Sequence, residues 1–203
     1  MAFQVPAVIR PYRTTYPKIE LWLPVVTGLA SREAERKINE EIRREAEQLI
    51  RDQGSLDDPR AQMIGWFEVK TNEKEVLSLS LFNYAYTGGA HGLTLQRSLT
   101  FMTDTGKRYS LAELFKPGSD YVGKLSEQVA AQIKSRDVPV LEPFTRIRAD
   151  QDFYIADRAL VIYFQLYELT PYVYGFPYFP ISSYSVQEIV NEEGPLGPMI
   201  AND

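Results

Sequence analysis

Few residues in this chain could do chemistry. The one histidine, His91, lies in the segment Thr87-Gly88-Gly89-Ala90-His91-Gly92, and there is no cysteine. A Ser–His–Asp arrangement would therefore have a single possible base, and no Gly-x-Ser-x-Gly elbow exposes a serine to it. Without cysteine there are no disulfides, thiolate nucleophiles, cysteine zinc sites or iron–sulfur clusters. Zinc held by His91 would need carboxylates or water for its other positions, an uncommon donor set. Neither a Walker loop nor a Gly-x-Gly-x-x-Gly fingerprint occurs. Gly88, Gly89 and Gly92 are spaced differently and sit between strands rather than ahead of a helix. Acids such as Glu68, Asp152 and Glu168 could serve general acid–base work, but glycoside hydrolysis needs two carboxyls at a set separation and nothing in the sequence pairs them. The expectation is no catalytic set, no metal and no cofactor.

Two segments remain as binding candidates. The Thr87–Gly92 loop reads first as a hairpin whose glycines take positive φ, with His91 hydrogen-bonded to backbone. Its functional alternative is a loop that lets a ligand approach backbone amides beside the imidazole. The stretch from Tyr167 to Phe179 is dense in aromatics and proline. It reads either as a cover over a sheet or as a recognition surface, since large flat side chains bind at low entropic cost. The candidate binding residues are Tyr86, His91, Tyr172, Tyr174, Phe176 and Tyr178. Their roles would be stacking and hydrogen bonding, with His91 able to change charge near neutral pH.

The elements that must position these residues follow from periodicity. Residues 7–27 read as extended, with Pro11, Pro17 and Pro24 marking edge or irregular strands. Residues 31–53 predict a helix capped by Ser31, with Ala34, Ile38, Ile42, Ala46, Leu49 and Ile50 on one face. Between 62 and 109 the period becomes two, with Leu77, Leu79 and Leu81 alternating with Ser78 and Ser80, as in strands with one buried face. Turns are expected at Asn72–Glu75 and Asp104–Lys107. A second helix is expected over 119–135 with Ser119 as cap. Leu160–Tyr167 reads as a central strand and Ser185–Asn191 as a short closing helix. The fold class is α+β, an antiparallel sheet packed by two main helices and a short C-terminal one. The division expected is 1–58 as an N-terminal extended segment and helix, 59–192 as a C-terminal α+β domain and 193–203 as a loose tail, together one compact unit.

Composition sets outer limits. The 203 residues are 44% apolar and 24% charged, ordinary for a globular protein. The 22 basic and 27 acidic residues give a net charge of −5 and are interspersed, which argues against nucleic acid or an anionic membrane as partner. Met1 to Pro6 lacks the pattern of a signal peptide, and Leu21–Val26 is too short to span a bilayer. With Met1 as the native start, the expectation is a cytoplasmic protein.

Three motifs carry a resemblance. They are Tyr86-Thr87-Gly88-Gly89-Ala90-His91-Gly92, then Asp104-Thr105-Gly106-Lys107 with Ser110-Leu111-Ala112-Glu113-Leu114-Phe115, and finally Leu160-Val161-Ile162-Tyr163-Phe164 through Tyr167-Glu168-Leu169-Thr170-Pro171-Tyr172, with Gly175 and Phe179 beyond. In this order the chain resembles a bacterial domain family of unknown function. That family is found in the sensor region of lysozyme-responsive anti-sigma factors of the RsiV type and beside the catalytic domain of PdaC-type peptidoglycan deacetylases. The N-terminal strands and first helix resemble the companion segment that precedes this domain. The resemblance implies an α+β fold with antiparallel sheet, no established catalytic residues and a usual place outside the cytoplasmic membrane. No anti-sigma segment or deacetylase metal motif is present in the sequence.

Together these observations give a non-enzymatic binding or sensor-type module for a protein or a cell-wall-like glycan. A hydrolase or accessory domain acting on peptidoglycan fragments, and a structural homo-oligomer joined through a sheet edge, are the alternatives. Oligomeric state does not follow from the sequence.

Overall fold

The computed structural model describes residues 5–54 and 59–201. The chain forms two compact units, Met1–Arg108 and Tyr109–Asp203.

The first unit is a five-stranded sheet in the order β1-β2-β3-β4-β5, with β1 Val8–Tyr16, β2 Ile19–Thr27, β3 Gln62–Glu73, β4 Val76–Tyr86 and β5 Leu93–Met102. Helix α1, Arg32–Asp52, begins where the Ser31 hydroxyl accepts from the Ala34 amide at 3.1 Å. Its buried residues Ala34, Ile38, Ile42, Ala46 and Leu49 are the stripe the sequence predicts. They pack on Leu77, Leu79, Leu81, Leu99 and Phe101, the inward rungs of β4 and β5. The opposite helix face is laced by ion pairs such as Arg36 with Glu33 and Glu40, at 2.7 and 2.6 Å.

All neighbouring strands of this sheet run antiparallel except β2 and β3. The 21 residues of α1 lie between those two strands and return the chain so that they run parallel. Their pairing is short, Ile19–Leu21 against Met63–Gly65. Pro24 lies a few residues on in β2, in register with Pro11 of β1, and offers no amide to a ladder.

Period-two alternation places Ser78 opposite Thr100 and Ser80 opposite Ser98. That face was expected to be the polar, solvated one. Instead Ser78, Ser80, Gln96 and Thr100 are buried. They tolerate burial by satisfying one another: Ser78 and Thr100 hydroxyls meet at 2.9 Å, those of Ser80 and Ser98 at 2.8 Å, and the Gln96 amide donates to Ser80 at 3.1 Å. The turn expected at 72–75 is the two-residue hairpin Lys74–Glu75, both at positive φ (50° and 61°) as a type I′ turn requires.

The second unit carries α2 Tyr121–Ser135 and a three-stranded antiparallel sheet, β6 Phe153–Ala156, β7 Ala159–Tyr163 and β8 Tyr178–Ser182, in that order. The central strand is β7, the apolar run read from sequence. The cap of α2 is Asp120, which accepts from the Gly123 amide at 2.9 Å, rather than Ser119, whose hydroxyl is buried and unpartnered. The closing helix is a 3₁₀ helix over Ser183–Ile189.

Of the region read as a loose tail, 193–201 is packed, and 202–203 lie outside the described residues. Leu196 and Met199 are buried, and the short helix α3, Gly197–Ile200, follows. Amide 191 bonds to carbonyl 114, which anchors the segment just ahead of it. The division between units also differs from the expected 58/59. Residues 62–102 supply three strands of the sheet that β1 and β2 complete, so they fold with the N-terminal segment.

Candidate functional site

The β4–β5 hairpin holds the first candidates. Gly88 and Gly89 have φ of 91° and 120°, so the loop takes a backbone that side chains disfavour. Tyr86 closes it by donating its hydroxyl to the Gly89 carbonyl at 3.1 Å. His91 is exposed, and its Nδ1 lies 2.9 Å from the Gly92 carbonyl oxygen. Gly92 does not take positive φ. It is buried against the ring of Tyr84 and the carbonyl of Ala85, with no room for a Cβ. Tyr86 and His91 thus share a tightly built loop. Among the described residues, no three of His, Cys, Asp and Glu gather where they could hold a metal ion.

The second unit holds the aromatic segment, and the structure sorts its rings into two groups. Tyr178, in β8, lies on the sheet face of Tyr154 and Tyr163, with ring centroids 5.9 Å from each, and Phe176 adds to it at 6.3 Å. Phe179, the next residue, points to the other face against Phe164 and under the Arg136 guanidinium. Tyr178 packs half-buried against this cluster, and the half-buried Phe176 ring lies beside it.

The other group faces outward. Pro171 leads into a 3₁₀ turn over Tyr172–Tyr174, which Gly175 ends at φ 78°. The amides of Tyr174 and Gly175 donate to the carbonyls of Pro171 and Tyr172 at 2.9 and 3.0 Å. Tyr172 stacks on Tyr167, with centroids 5.4 Å apart and planes 29° from parallel. Tyr167 is 51% exposed, Val173 93% and Tyr174 36%.

Tyr167 itself sits at φ 66°, a backbone that a bulky residue rarely adopts. The sequence reading did not single it out, because nothing in residue type signals a left-handed tyrosine. Its position is fixed by the neighbouring turn: the Gln165 amide donates to the Glu168 carboxylate at 2.7 Å, and the Glu168 amide to the Gln165 carbonyl at 3.1 Å. Arg148 pairs with the same Glu168. Burial works most strongly against its charge, but Glu168, Asp152 and Asp150 together outweigh it and hold the guanidinium above its ordinary value. The result is an aromatic step in which Tyr167 and Tyr174 are exposed and the half-buried Tyr172 backs the Tyr167 ring, set on a braced turn beside an ion pair. Flat rings so placed suit stacking against sugar rings or another protein's apolar side chains.

Of the six sequence candidates, Tyr172 and Tyr174 belong to this step, Phe176 and Tyr178 to the packed cluster, and Tyr86 and His91 to the hairpin of the other unit. No described helix is long and apolar enough to cross a membrane.

Comparison with known proteins follows the same division. Residues 12–94 match the family model described as deacetylase PdaC, and residues 112–184 match that described as a protein of unknown function, DUF3298. The join falls between those matches, where the two compact units also meet in sequence. The chain is 28% identical over 177 residues to the anti-sigma-V factor RsiV of Bacillus subtilis, a match covering 80% of this chain and 62% of that protein. It is 24% identical over 133 residues to the peptidoglycan-N-acetylmuramic acid deacetylase PdaC of the same organism, covering 59% of this chain and 27% of that protein. The chain therefore spans less than two thirds of either relative. Two solved DUF3298 family structures share the fold. One is from Bacteroides fragilis, with a TM-score of 0.68 at 13% identity, covering 99% of this chain and 98% of that one. The other is from Pseudomonas aeruginosa, with a TM-score of 0.67 at 15% identity, covering 97% and 96%. The chain is thus similar to a PdaC-type segment over residues 12–94 and to a DUF3298 domain over residues 112–184, in that order.

Proposed function

We propose that this protein is a binding module of the bacterial cell envelope that recognises a protein or a peptidoglycan-like glycan and does no covalent chemistry on it. The observation that carries this reading is the exposure of Tyr167 and Tyr174, with Tyr167 stacked on the half-buried Tyr172, on a 3₁₀ turn and a bonded loop. Exposed aromatics on a braced backbone lose little entropy on binding. The relatives support the same class, one being an anti-sigma factor and the other an enzyme named for its action on peptidoglycan. Tyr86 and His91 form a separate candidate patch on the first unit.

The test replaces Tyr167, Tyr172 and Tyr174 by Ala together. Binding is measured by co-sedimentation with purified peptidoglycan sacculi and by biolayer interferometry with lysozyme. Wild-type protein is expected to bind one of the two, and the triple variant to lose most of that affinity while its urea midpoint stays close to wild type. Binding that survives the triple change places recognition elsewhere. No binding of wild type to either probe overturns the reading.

A further inference from the structure

The first unit has a feature that the aromatic step does not use. Strand β1 pairs with β2 along its whole length, and among the described residues no strand pairs with its other edge. Helix α1 packs on β2, β4 and β5. Between the flank of the helix and β1 lies a groove of about 580 Å³, within the usual size of ligand sites. Its floor is apolar, from Leu21, Leu23, Ile42 and Ala46. Its outer wall is Tyr12 and Tyr16, which are 58% and 62% exposed.

Alternation puts Arg10, Tyr12, Thr14 and Tyr16 on one face of β1. Arg43 of α1 stands across the groove. Neither Arg10 nor Arg43 enters an ion pair among the described residues. The acid that lines the groove, Glu47, is within 3.8 Å of Arg51. Strand β1 carries two arginines and no acid, a local exception in a chain of net charge −5.

These features select an occupant. A bare strand edge offers a row of amides and carbonyls that an extended backbone matches in register and that a lipid or detergent would leave unused. A second copy of β1 would bring two further arginines to this edge, where Arg13 already has Glu20 at 3.0 Å and Arg10 has no acid paired with it among the described residues, so the joined edges would carry uncompensated positive charge. An extended acidic chain meets both requirements. We propose that β1 is a strand-addition site: an extended peptide pairs with the free edge and turns both acidic and apolar side chains, at alternate positions, to the groove face, the apolar ones packing on Tyr12 and Tyr16 and the acids meeting Arg10 and Arg43. This does not rest on the Tyr167–Tyr172 step, and its variants lie in the other unit, so either idea can fail alone.

The probe is a fluorescein-labelled octapeptide, Glu-Ser-Val-Ser repeated, which carries glutamate and valine on one face of a strand and serine on the other, followed by anisotropy against the full chain. Its counterpart with lysine for glutamate and a version N-methylated on alternate residues are the controls. The acidic peptide is expected to saturate and to bind roughly tenfold or more tighter than the basic one. N-methylation is expected to abolish binding, and the Arg10→Glu/Arg43→Glu double variant to reverse the preference for sign. Tyr12→Ser/Tyr16→Ser is expected to weaken the acidic peptide without moving the urea midpoint. Equal binding of both signs, full binding of the N-methylated peptide or no saturable binding overturns the proposal. So does displacement by dodecyl phosphate that N-methylation does not affect, which would make the groove an amphiphile site. Self-association in sedimentation velocity that Tyr12→Ser removes would give the edge to a second copy instead.

Discussion

Asn39 of α1 holds the backbone of Val26 in β2 as a neighbouring strand would. The Val26 amide donates to Asn39 Oδ1 at 2.9 Å, and Asn39 Nδ2 donates to the Val26 carbonyl at 2.8 Å. Val26 lies past Leu21, where pairing with β3 stops, and is fully buried. The side chain therefore finishes a ladder that the sheet leaves open. Replacing Asn39 by Ala strands a buried donor and acceptor together. The expected loss is about 2–3 kcal/mol, read as a lower urea midpoint with unchanged slope. A midpoint within error of wild type would mean that water replaces the amide at no cost.

That contact shows where sequence reading stops. The apolar stripe of α1, the Ser31 cap and the alternation in β4 and β5 are local patterns that the chain obeys. Asn39 lies next to the stripe among charged residues and looks like surface, because its partner is a backbone group 13 residues away. The buried serines of β4 mislead for a similar reason. Hydroxyls that pair across strands need no water, and that pairing depends on register. The tail reads as loose because its polar and proline-rich composition hides Leu196 and Met199, two residues that are enough to anchor it. In the candidate site, composition marks the aromatic segment but not the outward rings. Strand alternation sends Tyr178 and Phe179 to opposite faces, and the left-handed turn at Tyr167 turns that ring to solvent.

The hairpin glycines separate into two kinds. A Cβ at Gly92 would overlap the Tyr84 ring and approach the Ala85 carbonyl oxygen to 2.5 Å, whereas one at Gly89 would meet nothing within 4 Å. Gly92→Ala must push a ring and a backbone apart, at an expected cost of roughly 1–3 kcal/mol. Gly89→Ala meets only backbone strain in an exposed loop that can relax, and is expected to cost roughly 1 kcal/mol. Urea unfolding of the two variants should rank them in that order. The reverse ranking would mean that the loop, rather than the Tyr84 contact, is the rigid part.

Tyr174 and Tyr178, on either side of Gly175, should respond differently to truncation. Tyr178 contacts Tyr154 and Tyr163, so Tyr178→Ala opens a void in a packed cluster and should cost roughly 2–4 kcal/mol. Tyr174 lies on the outer step, and Tyr174→Ala should stay within about 0.5 kcal/mol of wild type. Thermal unfolding of both variants checks this. Equal losses would place Tyr174 in the scaffold and weaken its assignment to a binding surface.

Glu20 is the acid whose titration should be visible in a single probe. Its carboxylate accepts from Arg13 Nε at 3.0 Å and from the Trp22 indole at 3.1 Å. The Arg13 hydrogen bond, then that from Trp22, holds its pKa below the ordinary 4.5. A depressed carboxylate contributes stability that is present above its unfolded pKa and is lost as pH falls through its folded one. Nothing should therefore change between neutral pH and the upper end of the carboxylate range. Below that, protonation removes the acceptor that Arg13 and Trp22 share, and Arg13, which also lies 5.7 Å over the Trp22 ring, is released with it. The indole N–H resonance of Trp22, followed by ¹⁵N–¹H spectra in a Trp66→Phe background, should titrate with a midpoint below 4.5. Glu20→Gln should leave it flat across the same range. A midpoint at or above the ordinary value would sink the assignment, because it would mean that Arg13 and Trp22 do not hold the charged form in solution.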